Sequence, residues 1–258
     1  MESFDWDGFT LFLYIMMRIS GFIFFNPFFG RRNIPSYFKA GATLVFAMAA
    51  SDAYTGTVQA PAAFIELAVR LLLELCMGYF IGLVMNLFLF VPSYAGHIMD
   101  EQMGMAMAQT YDPSFQGQAT PASNVLNIFS ILLFFTANGH QTLLRLVLDS
   151  GGVVPFGSAA FGQAAAEKIA LLFVDCTLLA IKLCLPVLGA ELMGQVGMGV
   201  LMKAIPQINV FAINIELKVL VGMMMLYFLV APFSEFLLEM ENTMLVEVER
   251  AIALSGGA

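Results

Sequence analysis

The run PAAFIELAVRLLLELCMGYFIGLVMNLFLFV, residues 61–91, constrains the fold more than any other stretch. As a helix rising 1.5 Å per residue it would be about 45 Å long, against roughly 30 Å of bilayer hydrocarbon. It also carries Glu66, Arg70 and Glu74 at i, i+4 and i+8, which share a helical face. An intrahelical ion-pair ladder there would contribute only about 0.2–0.5 kcal/mol per pair. Each charge set at mid-span in lipid costs roughly 2.5–3.5 kcal/mol. The cost wins, so this face must meet protein or water, or lie outside the hydrocarbon.

Five further apolar segments accompany it, giving about 9–29, 39–58, 61–91, 123–148, 168–200 and 212–240. The segment 39–58 is the weakest, since Ser51, Asp52 and Gly56 interrupt it. With 60% hydrophobic and 12% charged residues, against about 25% charged in ordinary globular chains, the expectation is an all-α, polytopic integral membrane protein of one domain. The net charge of −8 and the lack of a basic cluster or phosphate-cradling loop give no sign of nucleic acid. Cys76, Cys176 and Cys184 sit in apolar runs without C-x-x-C spacing and read as small buried hydrophobes. The acidic start MESFDWDGF is unlike a basic secretory leader, so the first span is expected to act as its own insertion signal.

Turn signals separate the segments at GRRNIPS, SDAYTG, SGGVVPFG and KAIPQIN. Arg31, Arg32 and Lys39 flank the first connection, and Lys203 and Lys218 the last, while both ends of the chain are acidic. The positive-inside rule then puts those two connections in the cytoplasm. Six spans would leave both termini outside and attach the stretch 99–124 on the cytoplasmic side.

Ionic and polar groups recur inside the spans: Arg18, then Asn138, His140 and Arg145, then Asp175, Lys182 and Glu191. Asp175 and Lys182, seven apart, share a face. Gly78 and Gly82 form a small-xxx-small pair that lets another helix approach closely. Pro186 predicts a kink. Taken one at a time, such groups are most simply satisfied within the chain; together with Glu66, Arg70 and Glu74 they suggest helices packed in a larger complex. Neither histidine has metal-site spacing, no nucleophile elbow occurs, and Asp100 and Glu101 diverge by about 100° on a helix, so no enzyme is expected. No cofactor is expected.

MDEQMGMAMAQTYDPSFQGQATPASN, residues 99–124, is too polar for lipid and too apolar at its front for a solvated loop. Met103, Met105 and Met107 alternate with small residues. Methionine is unbranched, polarisable and able to repack against many surfaces, which suits a reversible seal. Gly104 and Gly117 would let such a loop swing, Asp112-Pro113 favours a turn, and Phe115 is a further apolar stopper. The plainer alternative is a helix end packed in the core followed by a linker. Lys203, Pro206, Gln207 and Asn209 form a second polar turn, which is either a plain hairpin or an entrance contact.

Four stretches in series resemble the FliR family of flagellar export-apparatus subunits, and the resemblance covers nearly the whole chain. They are RISGFIFFNPFFGRRNIPSYFKAG with Pro27, Gly30, Arg31 and Pro35; YAGHIMDEQMGMAMAQTYDP; FFTANGHQTLLRLVLDSGGVVPFG with Asn138, Gly139 and His140; and KAIPQINVFAINIELKVLVG. The resemblance implies a core membrane subunit of the type III export gate in the bacterial inner membrane and flagellar basal body. It implies FliP, FliQ and FlhB as partners and unfolded flagellar proteins as cargo. It further implies that residues 103–120 plug the conduit and that the 203–214 connection lies near its cytoplasmic entrance. A virulence injectisome subunit, a small-molecule or ion transporter, and a structural anchor are the alternatives.

Overall fold

The computed structural model describes residues 5–28, 30, 34–54, 56, 58, 60, 61, 63–105, 120–204 and 210–256. Among the described residues the regular structure is helical. In chain order the helices are α1 (Trp6–Phe25), α2 (Ser36–Ala53), α3 (Phe64–Gln102), α4 (Pro121–Thr136), α5 (Gly139–Leu148), α6 (Ser150–Val153), α7 (Gln163–Ala204), α8 (Val210–Phe228) and α9 (Val230–Leu254). An isolated bridge pairs Ala160 with Gly256.

Contacts sort the chain into two compact units. The first comprises Met1–Phe88, Asn138–Phe173 and Glu241–Ala258; the second comprises Leu89–Ala137 and Val174–Met240. Tyr14, Ile15, Phe22, Met77, Ile81 and Val84 form the dry centre of the first. Val91, Ala95, Met99, Met103, Leu126 and Leu237 are buried in the second.

Local chemistry sets the helix ends. Asp5 caps α1, its carboxylate accepting the Gly8 N–H at 3.0 Å, and Asp7 adds negative charge at the positive helix end. α1 stops at Asn26, which is extended as the residue before a proline prefers. The Asn26 side chain accepts the Phe28 N–H at 2.8 Å, and its carbonyl accepts the Gly30 N–H at 2.6 Å. Lys39 Nζ then donates to the Gly30 carbonyl at 2.9 Å, and Pro35 stands at the N-cap of α2. Pro27, Gly30 and Pro35 thus belong to the turn from α1 into α2; Arg31 lies outside the described residues.

Two expectations change. Among the described residues α1, α3 and α7 are long and apolar enough to cross a membrane, and up to five spans result if the bent pairs α4–α5 and α8–α9 each count as one. Among the described residues α2 falls short in hydropathy, diluted by Lys39 near its start and Ser51-Asp52 near its end, so five candidate spans at most stand where six were expected. Cys76 is exposed on α3, whereas Cys176 and Cys184 are buried. α7 continues as helix through Pro186.

Candidate functional site

Arg18 and Glu74 make the most deeply buried charged contact of the first unit. Arg18 Nε donates to Glu74 Oε2 at 2.6 Å and Nη2 to Oε1 at 3.1 Å, with both side chains fully buried. The remaining guanidinium donors are directed at α6 and the turn after it: Nη1 reaches Ser150 Oγ at 3.0 Å and the Val154 carbonyl at 3.1 Å. The guanidinium carbon lies 4.3 Å from the centre of the Phe156 ring, and Gly157 N–H donates to Glu74 Oε1 at 2.7 Å. A buried ion pair is tolerable only when such additional hydrogen bonds satisfy its remaining lone pairs and protons. The ladder expected along Glu66, Arg70 and Glu74 is therefore cut short. Arg70 pairs with Glu66 at a half-exposed surface, and Glu74 turns inward to Arg18.

Next to this pair the backbones of α1 and α3 touch. A Cβ on Gly21 would overlap the Leu75 carbonyl oxygen, and one on Gly78 would overlap the Arg18 carbonyl oxygen. A Cβ on Gly82 would come within 2.9 Å of the Phe25 carbonyl oxygen. Absent side chains allow this approach.

The Asn138-Gly139-His140 motif breaks the helix that the fourth apolar segment would otherwise form. Asn138 adopts φ 57°, ψ 23°, a left-handed conformation that asparagine tolerates better than most residues, and it separates α4 from α5. Gly139 is buried and His140 is half-buried.

In the second unit, α3 ends and α4 begins around the Met-rich stretch. Gly104, at φ +78°, is the left-handed residue that terminates α3: its N–H donates to the Glu101 carbonyl at 3.1 Å and the Met105 N–H to the Asp100 carbonyl at 3.0 Å. This is a Schellman stop. Gly104 is thus the terminator of α3. Met103 is fully buried, with its thioether seated on Gly222 of α8, where a Cβ would overlap Met103 Sδ and Cγ. Glu191 Oε1 of α7 is 3.2 Å from that same Cβ position, and Glu191 is itself buried.

The start of α4 is tied back to the same end of α3. Thr120 is its N-cap residue but makes no side-chain capping bond, and Pro121 opens the helix. Asp100 takes over the capping role, Oδ2 accepting the Ala122 N–H at 2.8 Å and the Ser123 N–H at 3.3 Å. Gly96, one turn earlier on α3, makes room, since a Cβ there would overlap the Ser123 backbone.

Of the residues read from sequence as a seal, Met103 is packed as a helix end, in line with the plainer alternative, and Met105 is half-buried. Met107, Asp112, Pro113 and Phe115 lie outside the described residues. Lys203 is exposed in the last turn of α7, and Pro206, Gln207 and Asn209 lie outside the described residues. Asp175 and Lys182 are exposed on α7. Sequence reasoning assigned no role to Asp100 as a cap, to Gly222 as a seat, or to Glu247, which forms an ion pair with Lys168 at 2.6 Å and accepts a hydrogen bond from Arg250 at 2.7 Å. Among the described residues no group of three or more His, Cys, Asp or Glu is placed to hold a metal ion.

Residues 9–244 match the family described as bacterial export proteins, family 1. The chain is 26% identical over 229 residues to the flagellar biosynthetic protein FliR of Bacillus subtilis (strain 168), covering 85% of this chain and 86% of that protein. It is 29% identical over 234 residues to FliR of Pectobacterium carotovorum subsp. carotovorum, covering 88% and 87%. Similarity extends to the surface presentation of antigens protein SpaR of Shigella flexneri, at 23% identity over 218 residues, covering 83% and 82%.

Proposed function

This chain belongs to the bacterial export proteins, family 1, alongside its FliR relatives, and we propose from that premise that its Met-rich stretch seals a protein conduit. The chain is a membrane subunit of the flagellar type III export gate, residing in the inner membrane as part of an export complex. Its family is a component of protein export, and no catalytic role is proposed.

The finer reading is as follows. The chain passes through the membrane several times within the flagellar basal body, with FliP, FliQ and FlhB as the companions that complete the conduit. Within residues 103–120, Met103 is the anchor, and Met105, Met107, Asp112, Pro113 and Phe115 belong to the part that plugs the conduit when idle and yields to an extended, unfolded flagellar protein. Lys203, Pro206, Gln207 and Asn209 border the cytoplasmic entrance.

One observation carries the plug. Both flanks of residues 106–119 are pinned, by Met103 on Gly222 at one side and by Asp100 on the first turn of α4 at the other. A seal needs fixed ends, because a segment anchored at both flanks returns to the same place after each passage. Methionine side chains on such a segment could repack around cargo of any sequence. Similarity to SpaR supports an injectisome subunit as the second reading, at lower identity than either FliR relative above.

The test is deletion of residues 106–120 in the assembled complex, with ion conductance measured while secretion is blocked. A rise in conductance is expected. An unchanged conductance with the complex still assembled rejects the plug.

A further inference from the structure

We propose that the outward face of α7 from Val174 to Leu185 is an ion-paired seam for one membrane helix of a different subunit of the export complex. The proposal rests on the export reading above and names the partner chemistry for a surface that reading leaves open. The exposed apolar residues are Val174 at 53%, Leu178 at 50%, Ile181 at 41% and Leu185 at 53%. Their spacing of four, three and four is the 3.5-residue repeat of a helix seam, narrower than a face turned to solvent lipid. Cys176, Ala180, Leu183, Cys184 and Val187 on the other side are buried, so α7 already has its own core face.

Asp175 and Lys182 flank this seam, each directly after an apolar seam residue and both exposed. They stand about 10 Å apart along the axis, too far to pair with each other. Neither takes part in an ion pair among the described residues. Lipid is a poor occupant, because an ionised side chain within a span needs a polar partner. Bulk water is a poor occupant for the four apolar side chains beside them. A helix that lays apolar residues in the seam, with a base opposite Asp175 and an acid opposite Lys182 one heptad away, satisfies both groups at once, as charges flanking a coiled-coil seam do.

A second copy of this chain does not fit. Packed parallel, it would set Ala170 against Asp175 and Thr177 against Lys182, neither of them charged. Packed antiparallel, it would pair Asp175 with Lys182 in both directions, but the two copies would then cross the membrane in opposite orientations, against the fixed orientation that Lys and Arg placement imposes. The occupant is a helix from another chain.

The test places a photo-crosslinking amino acid at Leu178 of the full chain in cells that make the whole apparatus. The expected adduct is to a membrane helix of another export subunit, and D175K and K182D each lower its yield about tenfold or more. Reversing the facing charge on that subunit restores the yield in D175K, which separates a lost ion pair from a misfolded variant. An adduct only to lipid or to a second copy, a yield indifferent to both reversals, or a failure of restoration overturns the seam. Secretion measured in cells lacking the chain keeps the two readings apart. Undiminished secretion there sinks the export reading, whereas abolished secretion with a charge-indifferent adduct sinks the seam alone.

Discussion

Arg18 and Glu74 lie 56 residues apart in sequence and meet as a fully buried pair at 2.6 Å. Removing one partner strands a charge away from water, at a typical cost of about 3–5 kcal/mol. E74A should therefore lower the unfolding temperature of the purified protein sharply. R18M/E74L, which removes both charges and keeps volume, should be less destabilised than either single replacement. Thermal unfolding in detergent checks the order, and an E74A protein as stable as the parent would show that the pair carries no stability.

Gly78 gives a second, steric expectation. An added methyl meets the Arg18 carbonyl, which is backbone and cannot rotate aside. G78A should destabilise by roughly 1–3 kcal/mol or more. Gly41 of α2 is the matched control, with nothing within 4 Å of its would-be Cβ. G41A should be neutral or stabilising by up to about 1 kcal/mol through helix propensity alone. Parallel unfolding curves decide; equal effects at the two sites would contradict the close crossing.

At the loop base, D100A removes the acceptor for two N–H groups of α4. A lost cap costs roughly 1–2 kcal/mol. Amide hydrogen exchange at Ala122 and Ser123 should accelerate while that of the α1 core stays unchanged. Unaltered exchange at those two amides would mean that another group caps the helix.

Gly222 is the seat of Met103, and G222V should expel the thioether. With M103C as a reporter and the exposed Cys76 replaced by serine, a maleimide should label slowly in the parent background and much faster when G222V is added. In the export reading the same variant raises resting ion conductance. Equal labelling rates in both backgrounds would remove Gly222 from its proposed part in anchoring the seal.

The sequence announced what depends on single helices. Apolar runs too long and too charged for lipid were visible in residues 61–91, and the Ser51, Asp52 and Gly56 interruptions already marked the segment 39–58 as the weak candidate span. What depended on two helices was hidden. Glu66, Arg70 and Glu74 share a face by spacing, yet Glu74 chose a partner on α1, because a buried guanidinium offers more than a half-exposed neighbour one turn away. Asp100 beside Glu101 looked like an unpromising carboxylate pair; its role as a cap became visible only once Pro121 began a helix against Gly96. Gly104 carried a further legible signal, since a glycine directly after a long helical run is a stop.

The contact of Gly21 with Gly78 has a mechanical consequence. With no side chains between them, α1 and the neighbouring part of α3 lack any compliant layer, and sliding one along the other would drive carbonyl groups into amide backbone. Shear at this crossing meets backbone rather than side chains that can rotate aside, which stiffens the contact. In the export reading, what widens for a passing chain is sought where side chains separate the helices.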